Sequence, residues 1–120
     1  MPSASQLDLS NNIIGGHYED DGYGYDSDGD EMTQFVADPE GVQAIAGALR
    51  VNGGLTKLSL ASNDLMEEGT KAICEALEQN RTLKELDISG GEHEGNIGRS
   101  AGAKHVAKML GVNGALTKIK

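Results

Sequence analysis

Leu55-Thr-Lys-Leu58-Ser-Leu60-Ala-Ser-Asn63-Asp-Leu65 is the stretch that decides the fold of this chain. Its first half alternates apolar and polar residues, so Leu58 and Leu60 face one side of a strand and the residues between them face the other. Residues 69–80 then place apolar side chains at spacings of three and four, which is typical of one helical face. The stretch therefore predicts a strand followed by a helix.

This strand–helix unit recurs along the chain. Residues 41–55, 69–83 and 102–116 align with one another at offsets of 28 and 33 residues, and a short apolar alternation follows each of them. A further strand is predicted at Leu7-x-Leu9. Because one such unit cannot bury its apolar side alone, the copies are expected to stack with their strands in a parallel sheet. The predicted core face of the helices consists of Ile45, Ala48 and Leu49, of Ile73, Ala76 and Leu77, and of Val106, Met109 and Leu110.

Asparagines mark the ends of the predicted strands and helices. Asn12 and Asn63 follow strands, where a side-chain amide can satisfy backbone groups in a turn. In the third unit Gly91 stands where asparagine is expected, and Asn96 is predicted to take over that role after an insertion of five residues. The helices are expected to close on an asparagine in the left-handed conformation, at Asn52, Asn80 and Asn113.

The repeated pattern, with Gly69 opening the helix and Asn80 closing it, resembles the ribonuclease-inhibitor-type leucine-rich repeat. The resemblance covers nearly all of residues 4–120 except an acidic insert at about 17–38, and the third unit departs from the pattern at its turn. It implies an α/β solenoid of three to four units within residues 1–120, a horseshoe fragment with parallel strands on the concave face and helices on the convex face. Members of this family mostly bind proteins. The class also includes activators of a nuclear-transport GTPase, so regulation of a small GTPase is an alternative function.

The composition favours a cytoplasmic protein. Only 3 % of the residues are aromatic and there is no Trp, so the core must be aliphatic. No apolar run approaches the roughly 20 residues that cross a bilayer, and the N-terminus lacks the basic start and apolar stretch of a secretory signal. The single cysteine, Cys74, cannot form an internal disulfide framework. These features together indicate a soluble protein of a reducing compartment.

The net charge of −9 is concentrated in one segment of the chain. Between His17 and Glu40 there are nine acidic residues and neither Lys nor Arg, whereas the rest of the chain carries ten acidic and ten basic residues. A surface that binds nucleic acid needs clustered Lys and Arg to displace counterions. The charge distribution therefore argues against a nucleic-acid partner.

The concave strand face is the first candidate partner-binding surface, because the resemblance implies binding there. Successive strands would place two columns of side chains on it. Exposed ion pairs along these columns contribute about 0–1 kcal/mol each, and neither column contains an aromatic or Arg anchor of the kind that dominates most interfaces. The alternative is a soluble surface whose charges satisfy one another. The two columns are Gln6, Lys57, Glu85 and Lys118, and Asp8, Ser59, Asp87 and Lys120.

The acidic insert is the second candidate surface, and it contains every aromatic residue of the chain. Carboxylates can steer a basic partner while aromatic rings supply contact area. The insert is expected to be partly ordered because Tyr and Phe gain by lying against the repeats; the alternative is a solvated loop without a specific role. The candidate contact residues are Tyr18, Asp20, Asp21, Tyr23 and Tyr25.

Calcium is a third hypothesis, since Asp26, Asp28 and Asp30 alternate as in a calcium-binding loop. The helix–loop–helix version of such a loop needs Gly at its sixth position and Glu at its twelfth, and these positions hold Glu31 and Ala37. The pattern therefore departs from that motif. A calcium-responsive insert is kept as an alternative function.

Catalysis has little support in the sequence. In the repeat alignment Cys74 stands at a position that otherwise holds small residues, so we expect its side chain to be packed in the core. His105 aligns with Ala44 and Ala72, so we expect it to have a structural role. The Glu92-His93-Glu94 triplet is more simply a solvated loop than a metal site. We expect a non-enzymatic protein-recognition module without a cofactor. Because residue 120 falls within a predicted strand, we also expect either a longer array or pairing of this edge with a second copy.

Overall fold

The computed structural model describes residues 5–29, 31–91 and 95–120. Within these residues short strands alternate with helices in the order that the repeat predicts. The elements are β1 (Gln6–Asp8), β2 (Gly16–Tyr25), β3 (Glu31–Ala37), α1 (Glu40–Val51), β4 (Lys57–Ser59), α2 (Met66–Gln79), β5 (Glu85–Asp87), α3 (Arg99–Val112) and β6 (Lys118–Ile119).

Four of the strands form one parallel sheet in the order β1-β4-β5-β6. The register places Leu7 beside Leu58, Leu58 beside Leu86, and Leu86 beside Ile119. Each apolar strand position therefore lies next to its counterpart in the following unit. The predicted parallel pairing of the strands, in the predicted register, is confirmed.

The core is aliphatic, as the composition predicts. Leu58 and Leu86 of the strands pack with Ile73 and Leu77 of α2, and all four are at most 2 % exposed. Ala48 departs from the predicted helix face because it is exposed, whereas its counterpart Ala76 in the next unit is fully buried. No helix among the described residues is long and apolar enough to cross a membrane.

Asn96 takes the role that the sequence assigns to it in the third unit. It is 2 % exposed, and its Oδ1 accepts hydrogen bonds from the backbone N–H groups of Asn63 (2.9 Å) and Leu65 (3.2 Å). Its Nδ2 donates to the carbonyl oxygens of Leu60 and Ile88, both at 2.9 Å. One side chain therefore satisfies four backbone groups from two neighbouring units.

Asn63 repeats this arrangement one unit earlier. Its Oδ1 accepts from the N–H groups of Asn12 (3.0 Å) and Ile14 (3.3 Å). Its Nδ2 donates to the carbonyl oxygens of Leu9 (2.8 Å) and Ala61 (3.1 Å). The strand-end asparagines thus form a ladder across the C-terminal ends of the strands, and each turn is hydrogen-bonded to the next.

The helix-end asparagines differ from the sequence prediction. Asn52, Asn80 and Asn113 have φ values of −77°, −86° and −79°, which are extended and not left-handed. All three asparagines make the same local contact: the Oδ1 accepts from the backbone N–H groups two and three residues on, at 2.7–2.9 Å. This contact accounts for the extended backbone, since Asn52 makes it although no helix precedes α1 among the described residues. The Nδ2 of Asn80 also donates to the Leu49 carbonyl and that of Asn113 to the Leu77 carbonyl, each at 2.7 Å, which forms a second ladder.

The acidic insert forms an antiparallel hairpin from β2 and β3, with Gly16 beside Ala37 at its base. The Asp38 N–H donates to the Gly15 carbonyl at 2.9 Å, so the two ends of the hairpin meet where they leave the repeats. The Gly15 N–H in turn donates to the Asn63 carbonyl at 2.9 Å. The hairpin is therefore anchored at its base to the turn that follows β4.

Candidate functional site

The parallel register places the predicted strand columns on one surface, which we call the exposed sheet face. Gln6 lies beside Lys57, and Glu85 lies between Lys57 and Lys118. The second column lies two residues further along each strand, and in it Ser59 lies between Asp8 and Asp87. The structure thus brings together the predicted residues of both columns. This surface consists of Gln6, Asp8, Lys57, Ser59, Glu85, Asp87, Lys118 and Lys120.

Of the ion pairs expected along the first column, the structure shows the one between Lys57 and Glu85. The Nζ of Lys57 lies 3.4 Å from the Oε2 of Glu85, and the two side chains are 55 % and 38 % exposed. An ion pair at such exposure contributes about 0–1 kcal/mol, because water screens it. Lys118 lies on the other side of Glu85 in the register. The column therefore carries two lysines for one carboxylate.

The aspartates of the second column are held by serines two residues later. The Asp87 Oδ1 accepts from the Ser89 N–H (3.0 Å) and hydroxyl (2.5 Å), and the Asp8 Oδ1 accepts from the Ser10 N–H (2.9 Å). Partial burial raises the pKa of Asp87, but the Ser89 hydrogen bonds and nearby Lys120 outweigh it and lower the pKa overall. For Asp8, the hydrogen bonds from Ser10 lower the pKa.

These serine contacts were missed in the sequence, although a signal was present. Asp8-Leu-Ser10 and Asp87-Ile-Ser89 share one spacing at equivalent positions of two units. Such a carboxylate commonly accepts the backbone N–H two residues on. Both carboxylates are therefore held ionised and in place at the ends of their strands.

A shallow depression of about 210 Å³ lies on the exposed sheet face around Ser59 and is bordered by charged side chains, among them Lys57, Asp87 and Lys120. Pockets for small molecules usually measure ~300–1,000 Å³ and are mostly apolar. This depression is smaller, open and charged. Its shape suits a protruding side chain of a protein partner better than an enclosed ligand.

The hairpin presents tyrosines to solvent. Tyr23 is 83 % and Tyr25 is 72 % exposed, so the expectation that the insert's tyrosines pack against the repeats is wrong for these two. They lie near the far end of β2, beyond the reach of the core. The side chains of Tyr18, Asp20 and Asp21 lie outside the described part of the structure.

Asp26 and Asp28, two of the three proposed calcium ligands, lie at the tip of the hairpin. The Asp26 Oδ1 accepts from the Asp28 N–H at 2.9 Å, and the Gly29 N–H donates to the Asp26 carbonyl at 3.1 Å, which defines a tight turn. Asp30 lies outside the described residues. In the part of the chain that the structure describes, acidic, His and Cys residues form no group of three that could hold a metal ion. Calcium binding stays a prediction.

Cys74 and His105 occupy structural positions. Cys74 is 3 % exposed within the core, and the Nε2 of His105 lies 3.3 Å from the Oε1 of Glu67, which joins α3 to α2. Burial, then the nearby Glu78 and Glu75, raises the pKa of the Cys74 thiol to about 12. The thiol is therefore a packing group, as the sequence predicts. The Glu92-His93-Glu94 triplet lies outside the described residues.

We expect Cys74 to resist alkylation in the folded chain near neutral pH and to react fully in denaturant, because only the thiolate is nucleophilic. The unfolded thiol ionises near pH 9.0 and the folded one only near about pH 12. Stability should therefore fall as pH rises between these values, by about 1.4 kcal/mol per unit. Iodoacetamide labelling followed by mass spectrometry, with Cys74→Ala as the control in alkaline unfolding, measures both effects. Rapid labelling of the native chain would contradict the burial.

The comparisons with known proteins agree with this architecture. Residues 79–92 match the family model described as a leucine-rich repeat. This chain contains leucine-rich repeats. These repeats are similar to leiomodin-2 of Gallus gallus, with 36 % identity over 83 residues, which are 69 % of this chain and 14 % of that protein. They are also similar to the human NACHT, LRR and PYD domains-containing protein 13, with 40 % identity over 50 residues, which are 42 % of this chain and 5 % of that protein.

Two solved structures resemble the leucine-rich repeat chain. One is described as leiomodin-1 actin-binding site 2, with a TM-score of 0.61 and 37 % identity over 69 % of this chain and 46 % of that one. The other is the tropomodulin C-terminal domain of Caenorhabditis elegans, with a TM-score of 0.66 over 99 % of this chain and 55 % of that one. At 11 % identity the second likeness shows the fold alone. The chain spans less than two thirds of each of these proteins, and the ribonuclease-inhibitor type of its repeats stays a prediction.

Proposed function

We propose that this leucine-rich repeat chain is a non-catalytic recognition module whose partner is actin. The observation that carries the proposal is the likeness to a solved structure named as actin-binding site 2 of leiomodin-1, at 37 % identity over 69 % of the chain. At that level of identity the equivalent surfaces are expected to keep related shapes. An actin partner also fits the predicted cytoplasmic location of the chain.

The exposed sheet face is the contact surface that we propose for this partner, on the concave side expected of a solenoid. Its side chains stand on hydrogen-bonded strands, so a partner meets them already in position and less entropy is lost on binding. Lys57 and Lys118 flank a single carboxylate, Glu85, which leaves the first column with one positive charge in excess. We expect Lys118 to supply attraction toward carboxylates of the partner, whereas Lys120 lies near Asp87 and offsets that charge.

The hairpin is a second candidate surface, and the exposure of Tyr23 and Tyr25 favours it. Exposed tyrosines are common anchors of protein interfaces. Neither Lys nor Arg occurs within residues 17–38, so a partner of this surface would be basic. Because the ends of the hairpin meet at Gly15 and Asp38, it can be removed without opening the repeats.

Binding to purified actin tests the proposal and separates the two surfaces. We expect Ser59→Arg, which fills the depression on the exposed sheet face, to weaken binding at least about tenfold, a loss of ~1.4 kcal/mol. Ser100→Arg adds the same side chain to an exposed position of α3 and should leave binding unchanged. Affinity is measured by fluorescence anisotropy of labelled actin monomers and by co-sedimentation with filaments.

A third variant replaces residues 17–36 with a short Gly-Ser linker. If the exposed sheet face carries the function, this variant should bind actin as the intact chain does. Loss of binding on hairpin removal, with Ser59→Arg unaffected, would assign recognition to the hairpin instead. An intact, folded chain that binds neither monomeric nor filamentous actin would overturn the choice of partner.

A further inference from the structure

The outer part of β2 is bulged away from its partner strand. The cross-strand pairs run regularly to Asp20 beside Thr33, and the next pair is Tyr25 beside Glu31. Residues 21–24 of β2 therefore lie opposite a single residue of β3. Such a bulge takes the backbone out of the regular ladder and turns a side chain away from the strand pair.

Two glycines shape this bulge and leave its surroundings open. Gly22 and Gly24 have φ values of 82° and 86°, in the left-handed region that glycine adopts without strain. A Cβ atom built on either glycine would meet no heavy atom within 4 Å. Tyr23 stands between them with 83 % of its surface exposed. Another protein can therefore approach both the phenol ring and the backbone on either side of it.

The chain around Tyr23 is strongly acidic. Three consecutive carboxylates, Glu19, Asp20 and Asp21, precede it, and neither Lys nor Arg occurs within residues 17–38. An enzyme that acts on this tyrosine must therefore carry Lys or Arg in the groove that receives the residues before the acceptor, since complementary charge selects the substrate of a kinase.

We infer that Tyr23 is a phosphorylation site for a tyrosine kinase with a basic substrate groove. The kinase transfers the γ-phosphoryl group of a nucleoside triphosphate to the phenolic oxygen. A bond forms between that oxygen and the γ-phosphorus, and the bond from the γ-phosphorus to the bridging oxygen breaks. The nucleoside diphosphate leaves, and the phenolic proton passes to the catalytic carboxylate of the kinase.

The phosphate changes the charge that the hairpin presents. It adds about −1.5 to −2 charges and three acceptor oxygens at neutral pH. Because the hairpin already lacks Lys and Arg within residues 17–38, nothing in this segment neutralises the added charge. Phosphorylation of Tyr23 therefore increases the selectivity of this surface for a basic partner.

Tyr25 provides a comparison within the same hairpin. It is 72 % exposed, so exposure alone hardly distinguishes it from Tyr23. Its backbone, however, is paired beside Glu31, whereas Tyr23 lies in the bulge. A tyrosine in the ladder must leave it by local opening before a kinase can bind its backbone in the cleft. We therefore expect Tyr23 to be phosphorylated at least about tenfold faster than Tyr25, a ratio that corresponds to ~1.4 kcal/mol.

The folded, intact chain is incubated with magnesium ATP and the catalytic domain of a tyrosine kinase that prefers acidic peptides. Mass spectrometry of the digested chain locates the phosphate and gives the rate at each tyrosine. Tyr23→Phe should remove most of the incorporated phosphate, and Tyr25→Phe should retain it. Both positions are exposed, and circular dichroism verifies that each variant folds.

A second pair of variants tests the role of the carboxylates. Neutralising the three that precede Tyr23 should lower kcat/KM for its phosphorylation about tenfold, because the attraction to the basic groove is lost. The matched control removes three carboxylates from α2 and should leave kcat/KM unchanged. The changes are Glu19→Gln, Asp20→Asn and Asp21→Asn in the first variant, and Glu68→Gln, Glu75→Gln and Glu78→Gln in the control.

Three results would overturn the inference: no phosphate on the intact chain, equal rates at Tyr23 and Tyr25, or an unchanged kcat/KM after neutralisation of the three carboxylates. The same chain isolated from its source cell, with tyrosine phosphatases blocked by orthovanadate, should carry phosphate on Tyr23. Unmodified Tyr23 in that sample would also show that the inference is wrong.

Discussion

Replacing Asn96 by alanine should lower the free energy of unfolding by about 3–4 kcal/mol. The side chain is 2 % exposed and satisfies two backbone N–H groups and two carbonyls in two adjacent units. Alanine leaves these groups unpaired in a dry turn, and each such group costs ~1–3 kcal/mol unless the turn relaxes or admits water. Urea unfolding followed by circular dichroism measures the loss.

Asn12 provides the matched control, because it holds the same position at the solvent-exposed first turn. Its Nδ2 donates to the carbonyls of Leu9 (2.7 Å) and Ser10 (3.1 Å), which water can also reach. Asn12→Ala should therefore cost only about 1 kcal/mol. Equal losses for the two variants would show that the ladder acts within each turn and does not couple the units.

The ladder also explains how far the sequence predicts this fold. Period-two alternation around Leu58 and period-3.6 spacing after Gly69 are local signals, so the strands, helices and register follow from them directly. The role of Asn96 could be predicted in spite of the shifted spacing because a buried turn needs an amide. The conformation of Asn80 was not predicted, because an asparagine after a helix is compatible with a left-handed or an extended backbone, and the sequence does not show that its Oδ1 accepts from the N–H groups of Thr82 and Leu83.

The sequence predicted some features of the two candidate surfaces and missed others, because the missed features depend on contacts between distant parts of the chain. The two columns of the exposed sheet face follow from strand periodicity, and the Lys57–Glu85 pair was found where expected. The exposure of Tyr23 and Tyr25 was not predicted, because acidic composition does not show that the insert pairs with itself as a hairpin. Exposure of Leu110 was missed as well, since the repeat pattern alone assigns this position to the buried helix face.

The contrast between interior and end positions leads to the second large effect. Leu77→Ala should cost about 3–5 kcal/mol, since Leu77 is fully buried between neighbouring units and its removal leaves a cavity. Leu110→Ala removes the same atoms from the same repeat position, but the side chain is 46 % exposed, so the loss should stay below about 1 kcal/mol in a dilute sample. Urea unfolding of both variants at low protein concentration measures the difference.

Leu77→Ala should show its loss at every protein concentration, because the surroundings of Leu77 lie within one chain. Equal losses for the two variants would show that position 110 is packed as tightly as position 77 and would contradict the exposure of Leu110.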